Sequence, residues 1–226
     1  MAFWYLIHGA GSNRLVWSRQ MRVLKNATRA ELPWLKGVPE ERLIDAWADW
    51  GLDQLTQPVV LMGHSLGGAI AQTMALKAPH LIEGLVLVGT GPHLPVNPNL
   101  IESLASEPQE ALRRITRWSF AKTADPTLIV KSLAQAQSFD GHQAWRQFVA
   151  CTYFDGRDQL SAVTCPKAII AGAEDRMTPE PLTKSFLEIW PDAPYFTIAG
   201  AGHSMMLEQP ETFNDILLDL MERFNW

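Results

Sequence analysis

Residues 59–72 read VVLMGHSLGGAIAQ. An unbroken apolar run, Val59–Met62, ends at Gly63-His64-Ser65-Leu66-Gly67, and an Ala-rich segment follows. A continuous run of this kind suits a strand buried on both faces. Residues 66–78, rich in Ala and Leu and stopped by Pro79, suit a helix. A serine spaced one residue from glycine on either side fits a strained strand-to-helix turn, because only small neighbours let the backbone fold that tightly. Such a turn lifts the hydroxyl above the carboxyl ends of the strands. The helix that follows aims its positive N-terminus at the same point. Ser65 is therefore a candidate nucleophile.

The same grammar recurs on both sides of this stretch. AFWYLI (2–7), GLVLVG (84–89) and KAIIAG (167–172) are further continuous apolar runs that end in or near glycine, and YFTIAG (195–200) reads as another strand. NATRAEL (26–32) is a weaker, more polar strand. Lys25, Arg29 and Glu31 in or beside it suit a sheet edge, where charge discourages pairing with another chain. Residues 39–50, 179–190 and 211–224 have helical spacing of apolar positions. Strand and helix in alternation predict an α/β fold, with a mostly parallel sheet of about six strands and helices on both faces. From Pro92 to about Asp155 the alternation stops, and only helix-like segments are present, DPTLIVKSLAQAQS with its Asp-Pro start among them. The expected organisation is a core domain from residues 1–91 and 156–226, with a helical cap inserted at 92–155.

Composition excludes several classes. The chain has 226 residues, 47% hydrophobic and 19% charged, with a net charge of −5. Lys and Arg are not clustered as a nucleic-acid footprint requires. MAFWYLI lacks the basic flank and the longer apolar stretch of a signal peptide. No run approaches the roughly 20 apolar residues of a transmembrane helix, and a cytoplasmic location is expected. The two cysteines, Cys151 and Cys165, match no ligand spacing and are expected reduced and buried. His-Glu-x-x-His and phosphate-binding loops are absent from the sequence, so neither a metal nor a nucleotide cofactor is expected.

A serine at its ordinary pKa needs a base, and the base needs an acid to orient it. Of six histidines, His203 lies in a glycine-containing loop, IAGAGHSMM, just past the last strand and at the same edge of the sheet as Ser65. His64 sits inside the serine turn and is expected to point elsewhere. The acid should follow another strand end, and AGAEDRMTP supplies Asp175, with Glu174 as its competitor. The order Ser65, Asp175, His203 is the one this kind of fold uses. Two amides should face the developing oxyanion: Leu66 N–H, directly after the nucleophile, and Ala10 N–H in the opening His8-Gly9-Ala10-Gly11 turn.

Taken together, these residues resemble the α/β-hydrolase fold family, and the resemblance spans nearly the whole chain. It rests on His8-Gly9-Ala10-Gly11, Gly63-His64-Ser65-Leu66-Gly67-Gly68, Gly172-Ala173-Glu174-Asp175 and Gly202-His203. Members usually carry two further strands before the one that leads to His-Gly. No such strands are read ahead of AFWYLI, so NATRAEL is expected at the edge. The resemblance implies that the insertion covers Ser65 and that long apolar residues line the pocket. The candidates for substrate contact are Trp17, Trp118, Phe139, Trp145, Met177 and Met205. Arg113, Arg114 and Arg117 form a basic stripe, read either as a solvated face or as a landing site for an anionic partner.

The expected activity is a serine hydrolase that cleaves small-molecule carboxylic esters of small or medium acyl chains through an acyl-enzyme. The alternatives are C–C bond hydrolysis, lactone opening or elimination by the same triad. A small-molecule receptor on this fold is a third reading, because fold alone does not fix function.

Overall fold

The computed structural model describes residues 2–226. Its centre is a sheet of six strands, all pairs parallel: β1 (Trp4–Ile7), β2 (Ala27–Arg29), β3 (Val59–His64), β4 (Ile82–Val88), β5 (Lys167–Gly172) and β6 (Tyr195–Ile198), in the spatial order β2-β1-β3-β4-β5-β6. The helices in chain order are α1 (Leu43–Asp53), α2 (Leu66–Lys77), α3 (Pro98–Ser106), α4 (Pro108–Trp118), α5 (Pro126–Gln137), α6 (Gly141–Thr152), α7 (Glu180–Lys184), α8 (Phe186–Ile189), α9 (Met205–Glu208) and α10 (Pro210–Phe224).

The apolar runs are continuous because successive side chains of a strand enter different layers. Tyr5, Ile7, Val59, Leu61, Leu85, Leu87 and Ile169 pack in one layer with α1, α2 and Phe186 of α8. Their neighbours Trp4, Leu6, Val60, Met62, Val86, Val88 and Ile170 pack in the other, against Met205, Phe213, Leu217 and Leu220 of α9 and α10. Each such side chain contributes about 1.5–3 kcal/mol when fully buried. β3 and β4, central and buried, deliver the loops at the serine turn. The polar strand β2 stands at one edge, with Thr28 exposed, as its composition requires.

Between β4 and β5 lie α3 to α6, with an apolar cluster of their own formed by Leu104, Ala111, Leu112, Ile115, Ala144 and Phe148. Side chains of Asn97, Asp125 and Asp140 cap α3, α5 and α6, and prolines open α3, α4 and α5. The two ends of this insertion meet. His93 and Asp155 form an antiparallel bridge, and Gly156 N–H donates to Pro92 O at 2.8 Å.

Three expectations need correction. The single helix expected at 179–190 is broken into α7 and α8 at Ser185, whose hydroxyl donates back to Leu182 O at 2.6 Å and competes with the helical ladder. The segment 39–50 begins as a 3₁₀ turn at Glu40–Arg42, and its helix runs on to Asp53. Cys151 is buried but Cys165 only half so; both are free thiols. No helix among the described residues is long and apolar enough to cross a membrane.

Candidate active site

Ser65 has φ 54° and ψ −120°, and among the described residues it shares a positive φ outside glycine only with Asn225. A non-glycine residue held there costs about 1–3 kcal/mol, so the surroundings must hold it. Ser65 N–H donates to Val88 O at 3.0 Å, and Ser65 O accepts from Gly68 N–H at 2.8 Å and from the Thr90 hydroxyl at 2.9 Å. The flanking glycines are set by space. A Cβ on Gly63 would overlap the Gly67 carbonyl, and one on Gly67 would overlap the carbonyls of Ile7 and His8. The turn, the start of α2 and the end of β1 are thus packed backbone to backbone. Among the described residues, the amides of Leu66 and Ala10 have no hydrogen-bond acceptor.

His203 lies in the loop between β6 and α9 and is 3% exposed. Its Nδ1 donates to Asp175 Oδ2 at 2.8 Å, which leaves Nε2 free to accept. Asp175 follows β5 and is held by its own loop: Oδ1 accepts from Met177 N–H at 2.8 Å and Thr178 N–H at 2.9 Å, and Oδ2 from the Thr178 hydroxyl at 2.7 Å. Burial pushes this carboxyl up, but the electrostatic pull and hydrogen bond of the His203 ring, with the Thr178 bonds, outweigh it and hold the carboxyl at about 2. Glu174 instead is exposed, its carboxylate 3.4 Å from Lys122 N. Of the two acids considered, it is Asp175 that meets the histidine.

His64 has a larger place than its sequence suggested. Its Nε2 donates to the His203 backbone carbonyl at 3.0 Å, and the two rings lie 4.5 Å apart. Burial, then the neighbouring His203, pushes its pKa well down, so the ring is neutral. Gly9 gives it room, since a Cβ there would stand 2.9 Å from His64 Nδ1 and 3.1 Å from Ser65 Cβ. Three further groups were given no role at the site from the sequence. Thr178 bonds Asp175, Gln147 of α6 accepts the Gly11 N–H at 2.8 Å, and Glu208 of α9 accepts from both Gly202 N–H and Ala121 N–H. Asp-x-x-Thr spacing and the six residues from Gly202 to Glu208 are local; Gln147 to Gly11 and Glu208 to Ala121 are far apart in sequence.

Ser65 borders two chambers. One also has Ala10, His203, Phe139 and Met177 in its wall; the other has Trp118 and, again, Met177. Phe139, Met177 and Trp118 are therefore brought to Ser65. Trp17, Trp145 and Met205 are not. Trp17 is fully buried behind the serine turn, edge-on to His64 and against Phe213. Met205 is turned into the core over Gly89. Trp145 stacks on His142 at 5.7 Å, away from both chambers. Each was expected from its position in a loop or on the insertion, and each is claimed by packing instead.

The same architecture appears in known proteins. The pattern described as the alpha/beta hydrolase family matches residues 5–216. A pimeloyl-[acyl-carrier protein] methyl ester esterase of Aromatoleum aromaticum is 27% identical over 96% of this chain and 96% of its own. A solved thermophilic esterase superposes with a TM-score of 0.85 at 27% identity, covering 99% of this chain and 91% of the other. An esterase of Exiguobacterium antarcticum has the same fold, with a TM-score of 0.84 at 19% identity over 98% and 93% of the two chains. The likeness runs from the first strand into the last helix, and the chain belongs to the alpha/beta hydrolase family.

Proposed function

We propose that this protein is a serine esterase in which Ser65, His203 and Asp175 form the catalytic triad. The chain is a carboxylic ester hydrolase. The observation that carries the triad is the 2.8 Å bond from His203 Nδ1 to the Asp175 carboxylate, in a chamber whose wall also holds the strained Ser65. A carboxylate that stays ionised fixes the histidine tautomer with Nε2 free to accept the serine proton. Ser65 Oγ attacks the ester carbonyl carbon. The new oxyanion meets the amides of Leu66 and Ala10, which are left unpaired for it. His203 passes the proton to the leaving alkoxide, and water later attacks the acyl-enzyme by the same route in reverse.

Kinship with esterases, one of them named for a methyl ester on a medium-length acyl group, supports small or medium acyl esters as substrates. The test is turnover of p-nitrophenyl esters, alongside lactones and thioesters, by the protein and its Ser65→Ala variant. The variant should keep its circular-dichroism spectrum and lose turnover by a factor on the order of 10⁶. Ester turnover that survives the substitution overturns the proposal.

A further inference from the structure

Ser65 is held at both of its main-chain groups by residues at the end of β4. Its N–H donates to Val88 O at 3.0 Å, and its carbonyl accepts the Thr90 hydroxyl at 2.9 Å. Thr90 is fully buried, and it comes this close because Gly68 has no side chain: a Cβ there would stand 2.5–2.7 Å from Thr90 Cγ2, Cβ and Oγ1. One turn further along α2, Gln72 Nε2 donates to Gly68 O and to Gly91 O, each at 3.1 Å. Residues 89–91 are thus stitched to the start of α2. Gly89, at φ 49°, makes the turn out of β4 that puts them there.

We infer that Thr90 is a positioning residue, whose hydroxyl fixes the Ser65–Leu66 peptide plane so that the Leu66 N–H is aimed in advance at the oxyanion. This rests on the esterase reading above. A trans peptide is planar, and its C=O and the following N–H point in opposite directions. Whatever holds the Ser65 carbonyl therefore aims the Leu66 N–H. Gly68 N–H holds that carbonyl from within α2, at 2.8 Å, and Thr90 holds it from outside the helix. One bond alone lets the plane rock about it. Two bonds from different elements fix it.

Thr90 neither touches substrate nor carries a proton in transit. Its effect reaches the reaction through Leu66. A donor aimed beforehand needs no reorganisation when negative charge develops on the ester oxygen, and that charge is small in the bound ester and large in the transition state. The benefit therefore belongs to kcat and to transition-state analogues, and KM is left nearly as it was. A packing role would rest instead on the Thr90 methyl against Gly68, and the two roles part when the hydroxyl and the methyl are removed separately.

Thr90→Ser and Thr90→Ala both lose the methyl and differ from each other by the hydroxyl alone. On p-nitrophenyl butyrate, kcat should be about tenfold lower in Thr90→Ala than in Thr90→Ser, with KM alike in the two; this is a fraction of the roughly 10²–10³ lost when an oxyanion donor is deleted outright. Affinity for a boronate transition-state analogue should differ by the same factor. Thr90→Val, which keeps the shape, takes the place of Thr90→Ala if that variant melts early, and should show the same loss against the wild type. Equal kcat and equal analogue affinity with and without the hydroxyl overturn the inference, whatever the melting temperatures do. The Leu66 amide resonance gives a readout that needs no turnover. It should move in Thr90→Ala and stay near its wild-type position in Thr90→Ser, and a resonance that is the same in all three proteins also overturns the inference. If the wild type, with Ser65→Ala as its control, cleaves no ester while the Leu66 resonance behaves as expected, it is the esterase reading that has failed.

Discussion

Gln147 Oε1 accepts the Gly11 N–H at 2.8 Å, so a residue of α6 reaches across 136 positions to the turn that carries Ala10. Gln147 is fully buried, and Gly11 is in the left-handed region at φ 64°. The bond fixes one end of the turn whose amide is proposed to face the oxyanion. Gln147→Met keeps the volume and removes the acceptor. An unpaired buried N–H costs about 1–3 kcal/mol, and the turn relaxes to avoid it. kcat should fall by about tenfold with KM nearly unchanged, since the loss is felt in the transition state. Affinity for a boronate transition-state analogue should fall by the same factor. A lower melting temperature with unchanged kcat would reduce Gln147 to a packing residue.

The two acids after β5 can be separated by kinetics. Asp175→Asn puts an amide where His203 Nδ1–H now donates, and favours the wrong tautomer. A loss in kcat of about 10⁴-fold is expected, as for the corresponding change in other serine triads. Glu174→Gln alters an exposed side chain and should leave kcat close to wild type. Equal losses in both variants would contradict this division of roles.

The sheet and its working edge were legible because their signals are local. Val59–Met62, Gly63 and Ser65 lie within seven positions, and a strand buried on both faces announces itself by composition. Ser65, Asp175 and His203, the proposed triad, could be nominated because each follows a strand end. What was not legible depends on partners distant in the chain. His64 gains its place from a carbonyl 139 residues away. Trp17 and Phe139 look alike as sequence. One is sealed against Phe213 and the other is left facing a chamber, and only tertiary packing decides between them. The break at Ser185 comes from a hydroxyl that chose a backbone carbonyl, an option open to serine within a helical pattern.

Stability should fall with acidity in two stages. His64 is held well below its ordinary pKa by burial, and His8 is lowered by burial as well. His8 Nε2 must also stay unprotonated to accept the Leu32 N–H at 3.2 Å. The unfolded chain therefore binds these protons first, so this stability is present above about pH 6.5 and is lost as the pH falls below it. Asp175 acts lower down. Its carboxyl is held at about 2 against an ordinary 3.8. Its stability, on the order of 2 kcal/mol, is present above about pH 4 and is lost as the pH falls toward 2. Melting temperatures measured from pH 8 to 3 should decline from about 6.5 downward, and His64→Gln should flatten the first part. A melting temperature constant between pH 7 and 5 would refute the histidine stage.

Glu208 joins the proposed base to the insertion. Its Oε1 accepts Gly202 N–H at 2.9 Å, beside His203, and its Oε2 accepts Ala121 N–H at 2.8 Å, just past α4. Ser204 N–H donates to Ser119 O at 2.8 Å alongside. The side chain is half-buried, and burial, with the nearby Asp175 and Glu174 carboxylates, pushes its carboxyl up against the pull of the two amides. Glu208→Ala orphans both amides, at about 1–3 kcal/mol each. For a chain of this length that is a fall of several degrees in melting temperature, at roughly 2–4 °C per kcal/mol. Glu208→Gln keeps one acceptor oxygen and should fall between the two. Because the loop that loses its anchor carries His203, kcat should drop in the same order, Glu then Gln then Ala, with KM moving less. If Glu208→Ala melts with the wild type, the two hydrogen bonds are not holding the loop, and the ordering of kcat has no cause.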